Sequence, residues 1–296
     1  MRVLNIGALN LDHVYDVDHI ILPGETEATG GMNVFLGGKG MNQSCALAQA
    51  GVDVYHGGMI GEDGHQFLTA CKEFGIHTDY IKTLDGKSGH TIIQIDKNAQ
   101  NSILLYGGAN QRLTEEFVDN ILANFDASDI LLLQNEVNLL PYIVDRAYEK
   151  GMFIILNPSP FNEKLKAVDM KKISMFLLNE VEGEQIAGSS DPDKILADMM
   201  AMFPDAKIVL TLGKEGSIYC DATQRHFQPA FPVSAVDTTA AGDTFTGYFI
   251  ASMVAGEPVP TALRKGAKAA AIAVTRPGAV PSIPNRAEVD QALNED

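Results

Sequence analysis

Residues 236–249, VDTTAAGDTFTGYF, combine small side chains with one carboxylate in a way that suits chemistry. The run before Asp243 is small, and the apolar residues after it recur at helical spacing as far as Val254. We expect the N–H groups of residues 241–243 at a helix N-terminus, where unpaired donors and the helix dipole favour an anion. A lone aspartate before a helix is more often a simple cap, but the small residues and Asp237 favour a site. An anion hole beside a carboxylate suits phosphoryl transfer, since the carboxylate can accept a hydroxyl proton.

A second segment, GGKGMNQ at residues 37–43, is rich in glycine and precedes a helical pattern. Gly37, Gly38 and Gly40 permit close approach of the backbone, although a plain tight turn explains such a loop equally well. The spacing is neither that of a nucleotide P-loop nor that of a dinucleotide fingerprint after the first strand.

The elements that position these segments alternate between strands and helices. Strands are predicted at residues 3–8 and 52–56, and continuous apolar runs at residues 130–134, 153–157, 173–178 and 207–211 predict strands covered on both faces. Helical patterns lie at residues 41–50, 65–74, 114–124, 139–150 and 191–203. This alternation predicts an α/β fold, a doubly wound, mainly parallel sheet flanked by helices.

Two segments break the alternation. Residues 12–36 and 89–106 have β-like runs without helices, the second around a turn at Asn98. We interpret them as a small projecting β-sheet inserted in one domain that spans residues 1–296; two unrelated surface hairpins are the alternative. No repeat or linker divides the chain.

Composition limits the possible partners. The 296 residues carry a net charge of −16, which argues against nucleic acid or an anionic membrane as the main partner. No stretch approaches the ~20 apolar residues that cross a bilayer, and the first residues indicate a buried strand rather than a signal peptide. Three cysteines without CxxC spacing predict reduced thiols in a cytoplasmic protein.

Both glycine-rich segments, in this order and spacing, resemble the two signatures of the ribokinase-like (PfkB) carbohydrate kinases, and the resemblance covers essentially the whole chain. It implies that Asp243 is the catalytic base and that Ala240, Ala241 and Gly242 form the anion hole. The sugar contacts that it implies are Asn10, Asp12, Gly38, Lys39, Gly40, Asn42, Glu136 and Asp243.

The resemblance also implies sites for nucleotide and metal. In NEVE, Asn179 and Glu182 would act near Mg²⁺ and the phosphates, with Glu182 holding the metal indirectly, although Asn179 could also be only a helix cap. In TLGKEGS, Thr211, Gly213 and Gly216 would bind ATP together with Gly242, although an ordinary β-turn fits the bare motif.

A monovalent cation, K⁺, would organise the anion-hole loop. The ligands that the resemblance implies for it are Asp237, Thr239, Ala273, Arg276, Gly278 and Ser282.

The two β segments would form a lid over the sugar, and lids of this kind commonly pair in a homodimer. Two residues depart from the family pattern: Leu11 stands where a smaller residue is common, and Met41 replaces an alanine. Both could narrow the sugar pocket and favour 2-deoxyribose; alternatively both point into the core.

The function that the resemblance implies is ATP-dependent phosphorylation of the 5-hydroxyl of D-ribose. Alternatives are another substrate of the same family (2-deoxyribose, another sugar or a nucleoside) and a non-catalytic sugar or nucleotide sensor. A sensor would be expected to lack Asp243 or Gly242, and a Rossmann dehydrogenase would need a glycine fingerprint that the first strand lacks.

Overall fold

The computed structural model describes residues 1–98 and 100–295. Within them the strands are β1 (Val3–Ile6), β2 (Asn10–Val17), β3 (Gly31–Gly37), β4 (Val54–Ile60), β5 (His77–Thr83), β6 (Gly89–Asp96), β7 (Asn101–Tyr106), β8 (Ile130–Gln134), β9 (Phe153–Asn157), β10 (Met175–Asn179), β11 (Lys207–Thr211), β12 (Gly216–Cys220) and β13 (Arg225–Pro229). The α-helices are α1 (Lys39–Gln49), α2 (His65–Glu73), α3 (Glu115–Leu122), α4 (Leu140–Glu149), α5 (Glu180–Ala187), α6 (Pro192–Met202), α7 (Ala241–Val254), α8 (Val259–Ala273) and α9 (Arg286–Asn294).

The main sheet has the strand order β13-β12-β11-β10-β9-β8-β1-β4-β5. The seven strands from β11 to β5 pair in parallel, whereas β12 and β13 extend the sheet antiparallel. The predicted doubly wound, mainly parallel α/β fold is confirmed.

Successive residues of the central strands face two different cores. In β8, Leu131 and Leu133 join a core that also contains residues of α3, α4 and α6, whereas Ile130 and Leu132 join one that contains residues of α1, α2, α7 and α8. Burial on both faces explains why these strands are continuously apolar.

Several predicted boundaries were wrong by a few residues. The first strand ends at Ile6 rather than Ala8, and the strand predicted from residue 173 begins at Met175 after a short 3₁₀ turn. The late helix, by contrast, begins at Ala241, so the N–H groups of residues 241–243 lie in its first turn, as predicted.

A separate small sheet has the order β3-β2-β6-β7 and is built from the two segments that interrupt the alternation. Its strand β2 follows β1 after three residues, so the sheet starts at the carboxyl edge of the main sheet. Asn98, at the predicted turn, donates its N–H to Asp96 Oδ1 over 2.8 Å, while residue 99 lies outside the described residues.

Across residues 1–98 and 100–295, no helix is both long enough and apolar enough to cross a membrane. Cys45, Cys71 and Cys220 are free thiols, as predicted.

Candidate active site

The start of α7 has the geometry of an anion site. Ala240 caps the helix in a left-handed conformation (φ 59°). The N–H of Ala241 donates to Thr238 O over 3.3 Å, and that of Thr244 to Ala240 O over 2.8 Å. Within the described residues the N–H groups of Gly242 and Asp243 have no acceptor, as expected for a first helical turn. These two donors are available to a ligand.

The glycine-rich loop packs against the end of β1. Gly38 has a positive φ of 90°, and a Cβ on Gly40 would lie 2.5 Å from the backbone N of Ala8. A Cβ on Gly37 would lie 1.9 Å from Asp12 Oδ2. A side chain at Gly37 or Gly40 would therefore clash with the segment from Ala8 to Asp12. The close approach that these glycines permit brings the start of α1 to the carboxyl edge of the sheet.

The two signature segments meet at the carboxylate of Asp243. Its Oδ2 accepts a hydrogen bond from Asn42 Nδ2 over 2.9 Å, and its Oδ1 accepts one from Gln43 Nε2 over 2.8 Å, across about two hundred residues of sequence. Gly247 lets helices α1 and α7 lie this close, because a Cβ at this position would be only 2.4 Å from Ala46 Cβ. Asp243 is only 7% exposed, but it lines the polar cleft described below, so the protein positions this carboxylate while leaving it open to a ligand.

Lys39 lies among three of the predicted site carboxylates. Burial alone would lower its pKa, but Asp243, Glu136 and Glu182 outweigh that effect and raise it. The backbone N–H of Lys39 donates to Glu136 Oε2 over 2.8 Å. Burial raises the pKa of Glu136 to about 7, against the opposing effect of Lys39 and with further contributions from Asp243 and Asp12. The site holds a protonated lysine in an otherwise acidic cleft.

Asn10 and Asp12, at the start of β2, each have a buried partner that sequence reasoning missed. Asn110 Nδ2 donates to Asn10 Oδ1 over 2.8 Å, and Thr91 Oγ1 donates to Asp12 Oδ1 over 2.5 Å. Burial raises the pKa of Asp12, and the Thr91 hydroxyl opposes the rise. Because Asn110 occupies the side-chain oxygen of Asn10, the side-chain NH₂ group of Asn10 stays available to another acceptor.

Asn179 and Glu182 form a reciprocal capping box at the start of α5. Asn179 Oδ1 accepts from the N–H of Glu182 over 3.0 Å, and Glu182 Oε2 accepts from the N–H of Asn179 over 2.9 Å. The interpretation of Asn179 as a helix cap is confirmed. It is compatible with a role in the site, because Asn179 and Glu182 line a cleft together with Lys39 and Asp243.

Two cavities meet at the start of α7. The polar cleft, about 220 Å³, is lined by Lys39, Asn157, Asn179, Glu182 and Asp243. The apolar cavity, about 550 Å³, is lined by Phe231, Val233, Phe245, Ala270 and Val274, with the predicted residues Thr211, Gly213 and Gly216. Thr211, Thr238, Ala241 and Gly242 line both. A ligand with an apolar end and an anionic end could extend from one to the other.

The residues predicted to hold a monovalent cation lie beside the anion-hole loop. Asp237 Oδ1 accepts from the N–H and hydroxyl of Thr239, and Asp237 Oδ2 accepts from the N–H of Gly278 over 2.9 Å. The N–H of Asp237 donates to Val274 O over 3.1 Å. Ala273, Arg276 and Ser282 belong to the same C-terminal segment, in which Ser282 is fully buried.

Leu11 and Met41 do not line the polar cleft or the apolar cavity. Both lie in the core under α1 and α2, where Met41 is fully buried and its sulfur is 3.8 Å from Cys71 Sγ. Of the two interpretations offered by the sequence, the geometry favours the one in which these residues face the core.

The comparisons with known proteins agree with this geometry. The model for "pfkB family carbohydrate kinase" matches residues 2–286. A ribokinase from Haemophilus influenzae is 36% identical over 297 residues, covering 97% of each chain, and a deoxyribokinase from Salmonella typhi is 29% identical, covering 99% of each. The structure of an Arabidopsis thaliana ribokinase complexed with ribose and ATP superimposes with a TM-score of 0.85 at 28% identity, covering 99% of this chain and 98% of that one.

Proposed function

The chain belongs to the pfkB family of carbohydrate kinases, and from this premise we propose that it is an ATP-dependent ribokinase. In the proposed reaction the 5-hydroxyl oxygen of D-ribose attacks the γ-phosphorus of ATP. The bond from that phosphorus to the bridging oxygen breaks, and its electrons leave with ADP. The hydroxyl proton passes to the carboxylate of Asp243, and the products are ribose 5-phosphate and ADP.

One observation carries this proposal: the accessible carboxylate of Asp243 lies in the same helical turn as two free N–H donors. The carboxylate is held by Asn42 and Gln43, while the N–H groups of Gly242 and Asp243 lack acceptors among the described residues. A base beside preorganised donors suits phosphoryl transfer, where positioning and charge stabilisation supply most of the catalysis.

The two cavities support a direction for the nucleotide. The adenine would occupy the apolar cavity near Phe231, and the triphosphate would run past Thr211 and Gly242 into the polar cleft. Lys39, whose pKa is raised by its carboxylate neighbours, would face the phosphates as a cation. This arrangement offsets locally the net charge of −16, which would otherwise repel ATP.

The sugar would lie between Asp243 and the start of β2. Asn10, Asp12, Asn42 and Glu136 offer the mixture of donors and acceptors that a polyhydroxylated ring requires. Gly38, Lys39 and Gly40 would contribute the adjoining loop, whose backbone lies against β1.

Mg²⁺ would enter with ATP, and the residues fit a loosely held ion. Glu182 uses Oε2 in its capping box, which leaves a second carboxylate oxygen for water around a metal. Among the described residues no cluster of three histidine, cysteine or acidic side chains could hold a metal by itself. A shell completed by phosphate and water suits Mg²⁺, which keeps most of its own water.

The carboxylate of Asp237, which accepts hydrogen bonds from the N–H groups of Thr239 and Gly278, would be the charged ligand of K⁺. We propose that K⁺ braces the anion-hole loop against residues 273–282 and does not contact substrate. Exchanging K⁺ for a bulky organic cation at constant ionic strength should lower kcat, and unchanged turnover would count against the site.

We also propose that the small sheet is a lid through which two copies pair. Apolar side chains on it are exposed, among them Met32 (47%), Val34 (44%) and Ile103 (57%). Light scattering should give twice the chain mass for the parent and one chain mass for Ile103→Glu; a monomeric parent contradicts the pairing. The three free thiols support a cytoplasmic location as part of the same proposal.

A substrate panel tests the function. ADP release would be measured with ribose, 2-deoxyribose, hexoses and nucleosides, and ribose should give the highest kcat/KM. Asp243→Asn should abolish turnover while ribose and ATP still bind by calorimetry. Preference for another substrate would correct the assignment, and binding without turnover in the parent would indicate a sensor.

A further inference from the structure

Gln43 contacts Asp243 from inside the protein. Its Nε2 donates to Asp243 Oδ1 over 2.8 Å, yet Gln43 is fully buried and does not line the polar cleft. A substrate in that cleft would meet Asp243 and not Gln43. Gln43 therefore acts through the carboxylate.

The direction of the Gln43 amide follows from a chain of buried amides. Gln43 Oε1 accepts from Gln134 Nε2 over 2.6 Å, and the same Nε2 donates to Asn5 Oδ1 over 3.0 Å. Asn5 Nδ2 donates to the carbonyl oxygen of Gly40 over 2.8 Å. A backbone carbonyl can only accept, so Asn5 must present its NH₂ to Gly40 and its oxygen to Gln134.

Each later amide inherits its orientation from the one before. Gln134 must present its NH₂ to the oxygen of Asn5, and the same NH₂ then faces Gln43 Oε1. Gln43 is left with its NH₂ directed at Asp243. The two strands that carry Asn5 and Gln134, β1 and β8, are neighbours in the sheet, which fixes the spacing of the chain.

The arrangement is not one that stability alone would select. Gln134 Oε1 is buried without a hydrogen-bond partner among the described residues, and a Cβ on Gly7 would lie 2.4 Å from it. An unpaired buried oxygen costs free energy that an apolar side chain would avoid.

We propose that Asn5, Gln134 and Gln43 form an amide relay that holds a donor on the carboxylate of Asp243 and aims this carboxylate at the sugar hydroxyl. Gln43 and Gln134 are thus positioning residues. The inference rests on the proposed kinase function and assigns to it two residues that do not touch substrate.

The relay predicts a change in pH dependence when it is cut. Loss of the donor disfavours the charged form of the base, so the acid limb of the kcat profile should move to higher pH. The charged groups facing Asp243 are Lys39 at the start of α1 and Glu136 after β8, with Glu182 on α5 facing Lys39. The variants below change none of them.

The experiment compares Gln43→Met and Gln134→Met, which keep side-chain length, with Ser44→Ala. Ser44 Oγ also contacts Asn5 Nδ2, over 2.8 Å, but its loss leaves Gly40 to orient Asn5. Both methionine variants should lower kcat roughly tenfold to a hundredfold, the value of a hydrogen bond to a charged group. Their acid limbs should move upward while KM for ribose changes little. Ser44→Ala should lower the melting temperature and leave the acid limb in place.

The outcomes separate the two proposals. If the parent phosphorylates ribose but Gln134→Met keeps the parental acid limb, the relay is wrong and the function stands. If Ser44→Ala moves the limb as far as Gln134→Met does, the effect is general loosening and the relay is again wrong. If no sugar supports turnover by the parent, both proposals fall. Should Gln43→Met not fold, shown by its melting curve with ribose and ADP, Gln134→Met decides alone.

Discussion

Replacing Gly242 by alanine separates the requirements of the fold from those of the chemistry. Gly242 lies in the first turn of α7 with ordinary helical dihedrals, and a Cβ built on it would have no heavy atom within 4 Å. Nothing in the packing demands glycine there. The residue lines both the polar cleft and the apolar cavity, so the added methyl group would project into the space for ligand.

The expected magnitudes have opposite signs. Alanine in place of a helical glycine with room for a methyl group stabilises a protein by about 0.4–1 kcal/mol, because it reduces the freedom of the unfolded chain. The same methyl group would hold the moving phosphoryl group away from the N–H donors of Gly242 and Asp243. Losing one such donor costs about 10²–10³ in kcat in other enzymes, and we expect a loss of at least about 10².

The assay pairs urea unfolding with ADP release at saturating ribose and ATP. Gly247→Ala is the matched control on the same helix, since its Cβ would lie 2.4 Å from Ala46 Cβ and should destabilise the contact between α1 and α7. Gly242→Ala should be as stable as the parent or more so and nearly inactive. A stable Gly242→Ala protein with turnover close to that of the parent would refute the placement of the phosphoryl group.

Three further variants test other parts of the site. Because burial raises the pKa of Glu136 to about 7 from 4.5, the folded state binds this proton more tightly than the unfolded chain, and stability should fall as pH rises between those values. Glu136→Gln should remove that fall and be more stable at pH 8 by up to about 3 kcal/mol, as urea titrations at pH 4 and 8 would show; parallel titrations for both proteins contradict it. Asn110→Leu should raise KM for ribose about tenfold and leave KM for ATP unchanged, since Asn10 loses the donor that orients it; equal changes in both KM values would indicate general damage. Met41→Ala should cost about 2–5 kcal/mol of stability through a cavity beside Cys71 but keep the ratio of ribose to 2-deoxyribose turnover, and a changed ratio would restore Met41 to the sugar pocket.

The sequence predicted best those elements whose environment is uniform along their length. The runs ILLLQ, FIILN and KIVLT form strands with the expected bounds, because each is a short apolar run whose central residues are buried on both faces. Strands β5, β12 and β13 were missed. Of these, β5 and β13 are exposed or half-buried along their whole length and consist mostly of polar residues, so no continuous apolar run marks them.

The candidate site divides in the same way. The anion-binding start of α7 depends on neighbouring residues in the sequence, and the small residues before Asp243 indicate it. The partners that orient the site side chains are not local: Asn110 contacts Asn10 across a hundred residues, and Gln134 contacts Gln43 across 91. No property of a single amide in a sequence specifies which distant amide it meets, so these contacts become visible only when the strands are placed.

The distribution of unsatisfied polar atoms gives an independent argument for where the chemistry occurs. Among the described residues, six buried side-chain oxygens lack partners; three are Asn42 Oδ1, Gln134 Oε1 and Thr244 Oγ1, and the others belong to Glu27, Ser217 and Glu257. Asn42 donates to Asp243, Thr244 follows it in the chain, and Gln134 is one amide removed from it. Each such atom costs stability, and the three near Asp243 show that the protein tolerates that cost around this carboxylate. While Asn42 Nδ2 holds the base, Asn42 Oδ1 stays buried and unpaired, a cost that the fold accepts in order to keep a donor on Asp243.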